Sequence, residues 1–229
     1  MKIHKTHILA LTAESVARET RDLASELTRI EEFDTRERKG FYENETIPFN
    51  SSDVWIAPRQ ILEHDERFRQ LIPYVILHKD GEILVYERTS QGGESRLHNK
   101  LSIGFGGHID ISDVVEEEGQ VNLVETVGVA ALREIQEELE VTGLSDKAGI
   151  EWIIAKNENE VDKVHVGLVL LVKVTGEAKS NESAINLLGF KTFNEIADKN
   201  IYDRLESWSQ IIVDKLKDDF QSLKSVEKE

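Results

Sequence analysis

The sequence contains no cysteine, and it has only three prolines and one methionine among its 229 residues. The lack of cysteine excludes disulfides, thiolate zinc sites and cysteine nucleophiles. Long apolar runs are lacking too, since no stretch approaches the roughly 20 apolar residues that a membrane-spanning helix needs. The apolar run from His7 to Leu11 is too short for the core of a signal peptide. We therefore predict a cytoplasmic protein with no membrane partner.

Positive charge is scarce as well, because 28 Lys and Arg face 44 Asp and Glu, for a formal net charge of −16. Such a chain repels nucleic-acid backbones and anionic membranes, which argues against a nucleic-acid partner. A substrate that carries phosphate would need its charge neutralised locally. Cations held by carboxylates would provide that neutralisation.

The first 69 residues are predicted to form an N-terminal extension, helical at first and then irregular. Apolar residues at helical spacing predict a helix over residues 12–33, with Thr12 as its N-cap. Prolines interrupt the part that follows, where a short helix is predicted near residues 60–70.

Residues 70–229 alternate strand-like and helix-like patterns in one predicted domain. The pair Asp80-Gly81 is a hairpin-turn signal between two strand-like runs. The run from Val164 to Val172 is apolar on both faces, as expected for a central strand. These patterns predict an α+β fold with a mixed sheet. The predicted strands cover 74–78, 83–86, 101–103, 164–172 and 190–193, and the predicted helices cover 126–141 and 194–223.

Three glutamates, Glu134, Glu137 and Glu138, follow one another at i, i+3 and i+4 in the predicted helix. Residues at this spacing project from one face of a helix, where like charges repel one another. Mg²⁺ or Mn²⁺ would offset this repulsion, because hard cations prefer carboxylate oxygens. An apolar stripe of Val129, Leu132, Ile135 and Leu139 is expected to anchor the opposite face. A solvated acidic surface is the alternative interpretation.

The flanking residues extend this triplet into a longer pattern. The run Gly119-x5-Glu125-x7-Arg133-Glu134-Ile135-Gln136-Glu137-Glu138 resembles the signature of the Nudix hydrolases, and the wider resemblance covers about residues 70 to 215. It includes a glycine pair at the end of a strand, Gly106-Gly107. The resemblance implies an α/β/α sandwich with a central mixed sheet, here with the N-terminal helical extension in addition.

Two departures from the family pattern concern the ends of the motif. Glu140 stands where the family has glycine, so the helix is predicted to run nearly one turn longer and to be capped by Gly143. Residues 108–124 form an acidic insertion after Gly106-Gly107, which we take as the equivalent of the family's glycine pair instead of Gly119. The segment from Ser102 to His108 resembles the corresponding segment of a subgroup of Nudix proteins assigned as phosphoesterases.

The resemblance assigns a role to each matched residue. It implies metal ligation by Glu137 and Glu138, by Glu134 as ligand or general base, and by the backbone carbonyl of Gly106. Arg133 is expected to pair with a carboxylate such as Glu125 and to orient the helix face. The implied catalytic set is Glu134, Arg133 and Glu125; the implied metal set is Glu134, Glu137, Glu138 and Gly106; the implied substrate contacts are Arg88, Gly107 and His108. Other candidates for the general base are Glu158, Glu160, Asp162, Glu177 and Glu182, and Arg96 and His98 are further candidates for phosphate contact.

The function implied is hydrolysis of a phosphoanhydride in a nucleoside diphosphate linked to another moiety, with Mg²⁺ or Mn²⁺ as cofactor. Two alternatives stay open at this point. One is a catalytically silent Nudix-fold module that binds a nucleotide or a nucleotide sugar. The other is an interaction protein that uses its N-terminal helix as a docking surface, and the same helix could form a homodimer interface.

Overall fold

The structure is a computed structural model of the chain, and it describes residues 7–20, 27–29, 47, 49–91, 98–158 and 160–215. Its strands are β1 (His7–Thr12), β2 (Leu27–Arg29), β3 (Val54–Pro58), β4 (Phe68–Lys79), β5 (Glu82–Arg88), β6 (Leu101–Ser102), β7 (Phe105–Gly106), β8 (Glu116–Glu117), β9 (Gln120–Val121), β10 (Leu139–Val141), β11 (Leu144–Ala155), β12 (His165–Val174), β13 (Ala178–Ser180) and β14 (Ile185–Thr192). Its α-helices are α1 (Ala13–Glu19), α2 (Arg59–Leu62), α3 (Leu123–Glu138), α4 (Phe193–Ile196), α5 (Lys199–Tyr202) and α6 (Ser207–Lys215), and short 3-10 helices cover Ser51–Asp53, Ile111–Asp113 and Asp162–Val164.

The main sheet has hydrogen-bonded neighbours in the order β14-β5-β4-β12-β11-β2, with β1, β3, β6 and β7 paired off this path. Strand β12 therefore lies inside the sheet, as its apolar sequence predicts, and most of its residues are buried. The predicted α+β class with a mixed sheet is confirmed. The remaining strands form two small antiparallel pairs, β10 with β13 and β8 with β9.

The chain divides into two compact units, and β4, β7, β11, β12 and α3 each contribute residues to both. Unit 1 comprises the described residues of Met1–Tyr74, Gly106–Glu134 and Ala148–Leu170, and unit 2 comprises those of Val75–Phe105, Ile135–Lys147 and Leu171–Glu229. In unit 1, β1 pairs antiparallel with β3 and with the start of β4, where Ala10 is opposite Gln70. Residues Ile8 to Leu11 are buried on both faces of β1, so this strand belongs to the core of unit 1.

In unit 2, the predicted hairpin joins the end of β4 to β5. Asp80 and Gly81 both have positive φ, 51° and 77°, which is the backbone that a two-residue type I′ turn requires. Strand β14 pairs with β5, and α4 begins at Phe193, capped by Thr192. The predicted helix over 194–223 is divided into α4, α5 and α6, and its last residues, 216–223, lie outside the described residues.

The predicted helix over 12–33 is wrong in its second half. Thr12 does cap α1, because its Oγ1 accepts a hydrogen bond from the backbone N–H of Ser15. The helix ends at Glu19, however, and Leu27–Arg29 form β2, which pairs with β11. Short isolated helices are marginally stable, so strand pairing elsewhere in the chain can override helical spacing.

Within the described part of the chain, we find no helix that is both long and apolar enough to cross a membrane.

Candidate active site

Helix α3 carries the acidic motif, and its two ends differ from the predicted ones. It begins at Leu123 because Asn122 caps it, with Asn122 Oδ1 accepting from the backbone N–H of Glu125 at 3.2 Å. It ends at Glu138, whose carbonyl accepts a hydrogen bond from the backbone N–H of Asn181 at 2.8 Å. The next residues enter β10, which pairs with β13.

The predicted extension of the helix to a cap at Gly143 is therefore wrong. Gly143 has a φ of +66° and follows β10, in the turn that leads into β11. The backbone N–H and C=O groups of the residues just after Glu138 form hydrogen bonds with β13. One more helical turn would break those hydrogen bonds.

The buried face of α3 also differs from the predicted stripe. Ile135 and Leu139 are buried, but Val129 and Leu132 are 43% and 44% exposed. The buried residues of the helix are Leu123, Thr126, Val127, Ala130, Ala131 and Ile135. Glu134 lies seven residues after Val127, and Glu138 lies seven residues after Ala131. Seven residues are two helical turns, so both glutamates continue the buried face of the helix. Glu137, by contrast, is exposed to solvent.

Two of the three glutamates are consequently half-buried, which does not fit the alternative interpretation of a solvated acidic surface. The side chain of Glu134 is 15% exposed, and Glu138 Oε2 is fully buried. Burying a carboxylate is costly unless a positive charge and hydrogen bonds compensate it. A surface decorated at random with acidic residues does not explain these positions.

Arg133 provides positive charge beside Glu134 in unit 1. Its Nη1 donates to Glu134 Oε1 at 2.7 Å, and its Nη2 donates to the carbonyl of His108 at 2.9 Å. Nε and Nη2 also donate to the two carboxylate oxygens of Asp113, at 2.9 and 2.8 Å. The Asp113 hydrogen bonds raise the pKa of Arg133 above its usual value, and those to Glu134 add to the effect while burial opposes it.

The expected pairing of Arg133 with a carboxylate is thus present, with Asp113 and Glu134 as partners. The pattern pointed to Glu125, which is exposed in the first turn of α3. Asp113 lies in the acidic insertion, where the sequence offers no signal that separates it from its neighbours.

Both residues of the glycine pair lie where a side chain would collide. A Cβ on Gly106 would lie 2.4 Å from the carbonyl oxygen of Pro73. A Cβ on Gly107 would lie 2.3 Å from the carboxylate of Glu134. The glycine pair therefore lets the Glu134 carboxylate lie against the backbone. By contrast, a Cβ on Gly119, whose φ is +76°, would meet no atom of the described residues within 4 Å, and Gly119 lies in the β8–β9 turn.

His108 follows the glycine pair and is bonded to a buried residue of β4. Its Nε2 lies 2.9 Å from Oε1 of Gln70, which is completely buried. With that oxygen as acceptor, Nε2 carries the hydrogen and Nδ1 keeps its lone pair. The ring of His165 lies 5.6 Å away, centroid to centroid, and His165 Nδ1 is 2.8 Å from the carbonyl of Val161. Burial lowers the pKa of His108 to about 3, with Arg59 and His165 acting in the same direction.

Arg88, a predicted substrate contact, is part of an ion pair in unit 2. Its Nε donates to Glu206 Oε2 at 3.4 Å, and Ser102 Oγ donates to the other oxygen of that buried carboxylate. The neighbouring Tyr86 is fully buried and donates to the carbonyl of Gly104 at 2.9 Å. Burial raises the pKa of Tyr86 well above its usual range; Arg88 opposes this, and the carboxylates of Glu206 and Glu138 add to it.

The other candidates for the general base lie in different surroundings. Four of them are exposed: Glu158, Glu160, Glu177 and Glu182. Asp162 is buried, and its carbonyl accepts from Arg69. His98 is half-buried, and Arg96 lies outside the described residues.

The oxygen donors of α3 fit a hard divalent cation. In the described residues, no three His, Asp or Glu side chains already stand together as a metal-binding group. Mg²⁺, however, keeps several waters and is commonly held by one or two carboxylates together with substrate phosphates. Glu137 and Glu138, consecutive at the end of α3, with Glu134 one turn earlier, supply carboxylates of that type.

Comparisons with known proteins include a relative of similar sequence and a solved structure that matches over most of the chain. Protein YmaB of Bacillus subtilis (strain 168) is 40% identical over 156 residues, which are 66% of this chain and 73% of YmaB. The crystal structure of Tm1382, whose assignment as a Nudix hydrolase is provisional, matches with a TM-score of 0.69 at 22% identity. That match covers 92% of this chain and 97% of Tm1382, so it gives the fold. No family model matches the sequence.

Proposed function

Because the chain belongs to the family of YmaB and has the Nudix fold that its sequence predicts, we propose that it is a metal-dependent pyrophosphohydrolase. The bond cleaved is a phosphoanhydride, and the substrate class is a nucleoside diphosphate linked to another moiety. This substrate class comes from the motif resemblance.

One observation carries the proposal: the carboxylate of Glu134 is held at the glycine pair by Arg133. The carboxylate occupies the space of a Cβ at position 107, so a side chain there would displace it, and Arg133 Nη1 donates to it at 2.7 Å. A half-buried acidic group fixed beside open backbone is costly to maintain and is typical of a site that performs chemistry.

Glu137 and Glu138 would hold the divalent cation, with Glu134 and the carbonyl of Gly106 as further oxygen donors. When bound, Mg²⁺ or Mn²⁺ neutralises the diphosphate and lowers the pKa of a coordinated water. Glu134, whose Oε1 accepts from Arg133 Nη1 at 2.7 Å, would accept the proton of the attacking water. Arg133 fixes the direction of that carboxylate, and Glu125 contributes negative charge at the start of the helix.

Substrate phosphate would meet Gly107, whose backbone lies against the Glu134 carboxylate, and His108, whose carbonyl accepts from Arg133. The backbone N–H of Gly107 and the neutral ring of His108 can each form a hydrogen bond. A substrate contact through Arg88 would require that residue to break its ion pair with Glu206. We therefore propose that Arg88 contributes less to substrate binding than Gly107 and His108 do. A cytoplasmic location and a homodimer remain predictions.

A substrate screen with matched variants tests the proposal. Nucleoside triphosphates, nucleotide sugars, dinucleoside polyphosphates and NADH are incubated with Mg²⁺ or Mn²⁺, and release of phosphate or nucleotide is measured. We expect Glu138→Gln to lower turnover by at least about 100-fold, since removing one group that stabilises transition-state charge costs that much. Glu140→Gln, an equal charge change at an exposed residue of β10, should leave turnover within twofold.

Two results would contradict the proposal in different ways. Equal turnover by the native chain and by Glu138→Gln would remove the metal assignment. No turnover across the whole panel, together with saturable binding of a nucleotide or nucleotide sugar, would instead identify a catalytically silent binding module.

A further inference from the structure

The acidic insertion between the glycine pair and α3 places one of its carboxylates in the interior of unit 1. Asp113 ends the 3-10 helix Ile111–Asp113, and its side chain is only 4% exposed. Its Oδ2 accepts from the backbone N–H of Asp110 at 2.8 Å, as part of a capping box. Hydrogen bonds within residues 110–113 therefore fix the Asp113 carboxylate independently of its contacts with α3.

The insertion is also tied down on both sides of Asp113. Before it, the carbonyl of Ile109 accepts from the backbone N–H of Leu9 in β1 at 2.9 Å. After it, the backbone N–H of Val115 donates to Oγ1 of Thr126, a buried residue of α3, at 3.0 Å. These ties hold the segment against the helix that carries Arg133.

Asp113 accepts hydrogen bonds from Arg133 through both of its carboxylate oxygens. The guanidinium Nε and Nη2 each donate to one oxygen, at 2.9 and 2.8 Å, a two-point contact that fixes the plane of the group. The opposite edge of the same plane donates to Glu134 Oε1. Fixing one edge of a rigid fork fixes the direction of the other.

We infer that Asp113 is a positioning residue, which holds the guanidinium of Arg133 and through it keeps the Glu134 carboxylate against Gly107. The insertion thereby supplies a part of the site that the recognised motif does not contain. This inference rests on the proposed function, because Glu134 is taken there as a metal ligand or general base.

A titration of the full chain with Mn²⁺ alone tests the inference without any substrate. Electron paramagnetic resonance measures the concentration of free Mn²⁺ and so gives the affinity. Partners that orient a metal ligand contribute roughly 10- to 100-fold to metal affinity. We expect Asp113→Asn to weaken Mn²⁺ binding by at least about tenfold, since an amide has one acceptor oxygen and its NH₂ group would face the second guanidinium nitrogen. Glu116→Gln, the same charge change at an exposed residue of the same insertion, should stay within twofold of the native affinity.

A double variant separates positioning from a general loss of structure. If Asp113 acts through Arg133, then Asp113→Asn combined with Arg133→Gln binds Mn²⁺ no more weakly than Arg133→Gln alone. Losses that multiply would overturn the inference. So would native affinity in a folded Asp113→Asn, or a native chain that binds no Mn²⁺.

The conservative variant Asp113→Glu covers the case in which Asp113→Asn does not fold. It keeps the charge but moves the carboxylate by one methylene, so Mn²⁺ binding should weaken several-fold, and native affinity would contradict the positioning role. A native chain that binds Mn²⁺ more tightly than the Asp113 variants but hydrolyses nothing would leave the positioning role standing and overturn only the proposed hydrolysis.

Discussion

The half-buried His108 makes the stability of this protein depend on pH in the acidic range. Burial lowers the pKa of His108 to about 3, whereas a histidine in an unfolded chain titrates near 6.5. Below pH 6.5 the unfolded chain therefore binds a proton that folded His108 does not bind. The contribution of His108 to the unfolding free energy is therefore complete above pH 6.5 and is lost as the pH falls toward 3.

We expect His108 alone to cost about 2 kcal/mol of unfolding free energy between pH 7 and pH 5. Urea unfolding of metal-free protein, measured at several pH values, gives this free energy. In His108→Gln the loss of unfolding free energy between pH 7 and pH 5 should be smaller than in the native chain by the same amount. His64→Gln, at an exposed residue, should keep the native decline, and an unchanged slope in His108→Gln would contradict the prediction.

Some residues of the candidate site could be read from the sequence and others could not. Glu134 and the pair Gly106-Gly107 belong to a spaced pattern, and the structure brings Glu134 against Gly107. Asp113 is one of several acidic residues in its segment, and its partner Arg133 lies 20 positions away. Burial of one carboxylate among several is decided by where the segment is held, which no local pattern contains.

At the scale of elements, the sequence predicts side-chain caps and the turn of a hairpin, whereas it does not predict pairing between strands that are distant in sequence. Thr12 caps α1 and Asp80-Gly81 form the hairpin turn, because each acts on backbone within three residues of itself. Strand β2 and the end of α3 depend on β11, β13 and Asn181, which are distant in sequence. Local spacing therefore gave helices that were too long in both places.

A buried arginine fixes the loop between β11 and β12. Arg69 of β4 is 5% exposed, and burial lowers its pKa. Its Nη1 donates to the carbonyls of Lys156 and Asp162, at 3.2 and 2.5 Å, and its Nη2 donates to Asn157 Oδ1 at 2.5 Å. The guanidinium thus joins both ends of the loop to β4.

Arg69→Lys should destabilise the protein although it keeps the charge. A lysine ammonium cannot span these three acceptors, and hydrogen bonds to charged groups contribute roughly 1.5–3 kcal/mol each. We expect the unfolding free energy to fall by about 3 kcal/mol in urea, with faster tryptic cleavage beside Lys156 and Lys163. Arg67→Lys, whose side chain is 83% exposed, should leave the urea transition unchanged. Native stability in Arg69→Lys would show that the loop is held by other contacts.

At the scale of the whole chain, the N-terminal residues bear on where the domain begins. The sequence predicts an extension over residues 1–69 and a domain over 70–229. Yet β1 pairs with β4, and Leu9 donates its backbone N–H to Ile109, the residue after His108. These contacts lie within unit 1 and connect the start of the chain to the segment that leads to Asp113. We therefore expect folding of unit 1 to depend on β1.

Substitution and truncation within β1 test this dependence. Leu9 is completely buried, so Leu9→Ala should lower the unfolding free energy by about 3 kcal/mol, within the range of buried leucine truncations. Ile61→Ala, at a residue 58% exposed, should stay within about 0.5 kcal/mol of the native value in the same urea titration. A chain that lacks residues 1–12 should lose its cooperative transition, because β4 and Ile109 then lose their backbone partner. If that shortened chain instead unfolds as cooperatively as the full chain, β1 is dispensable and belongs to a separable extension.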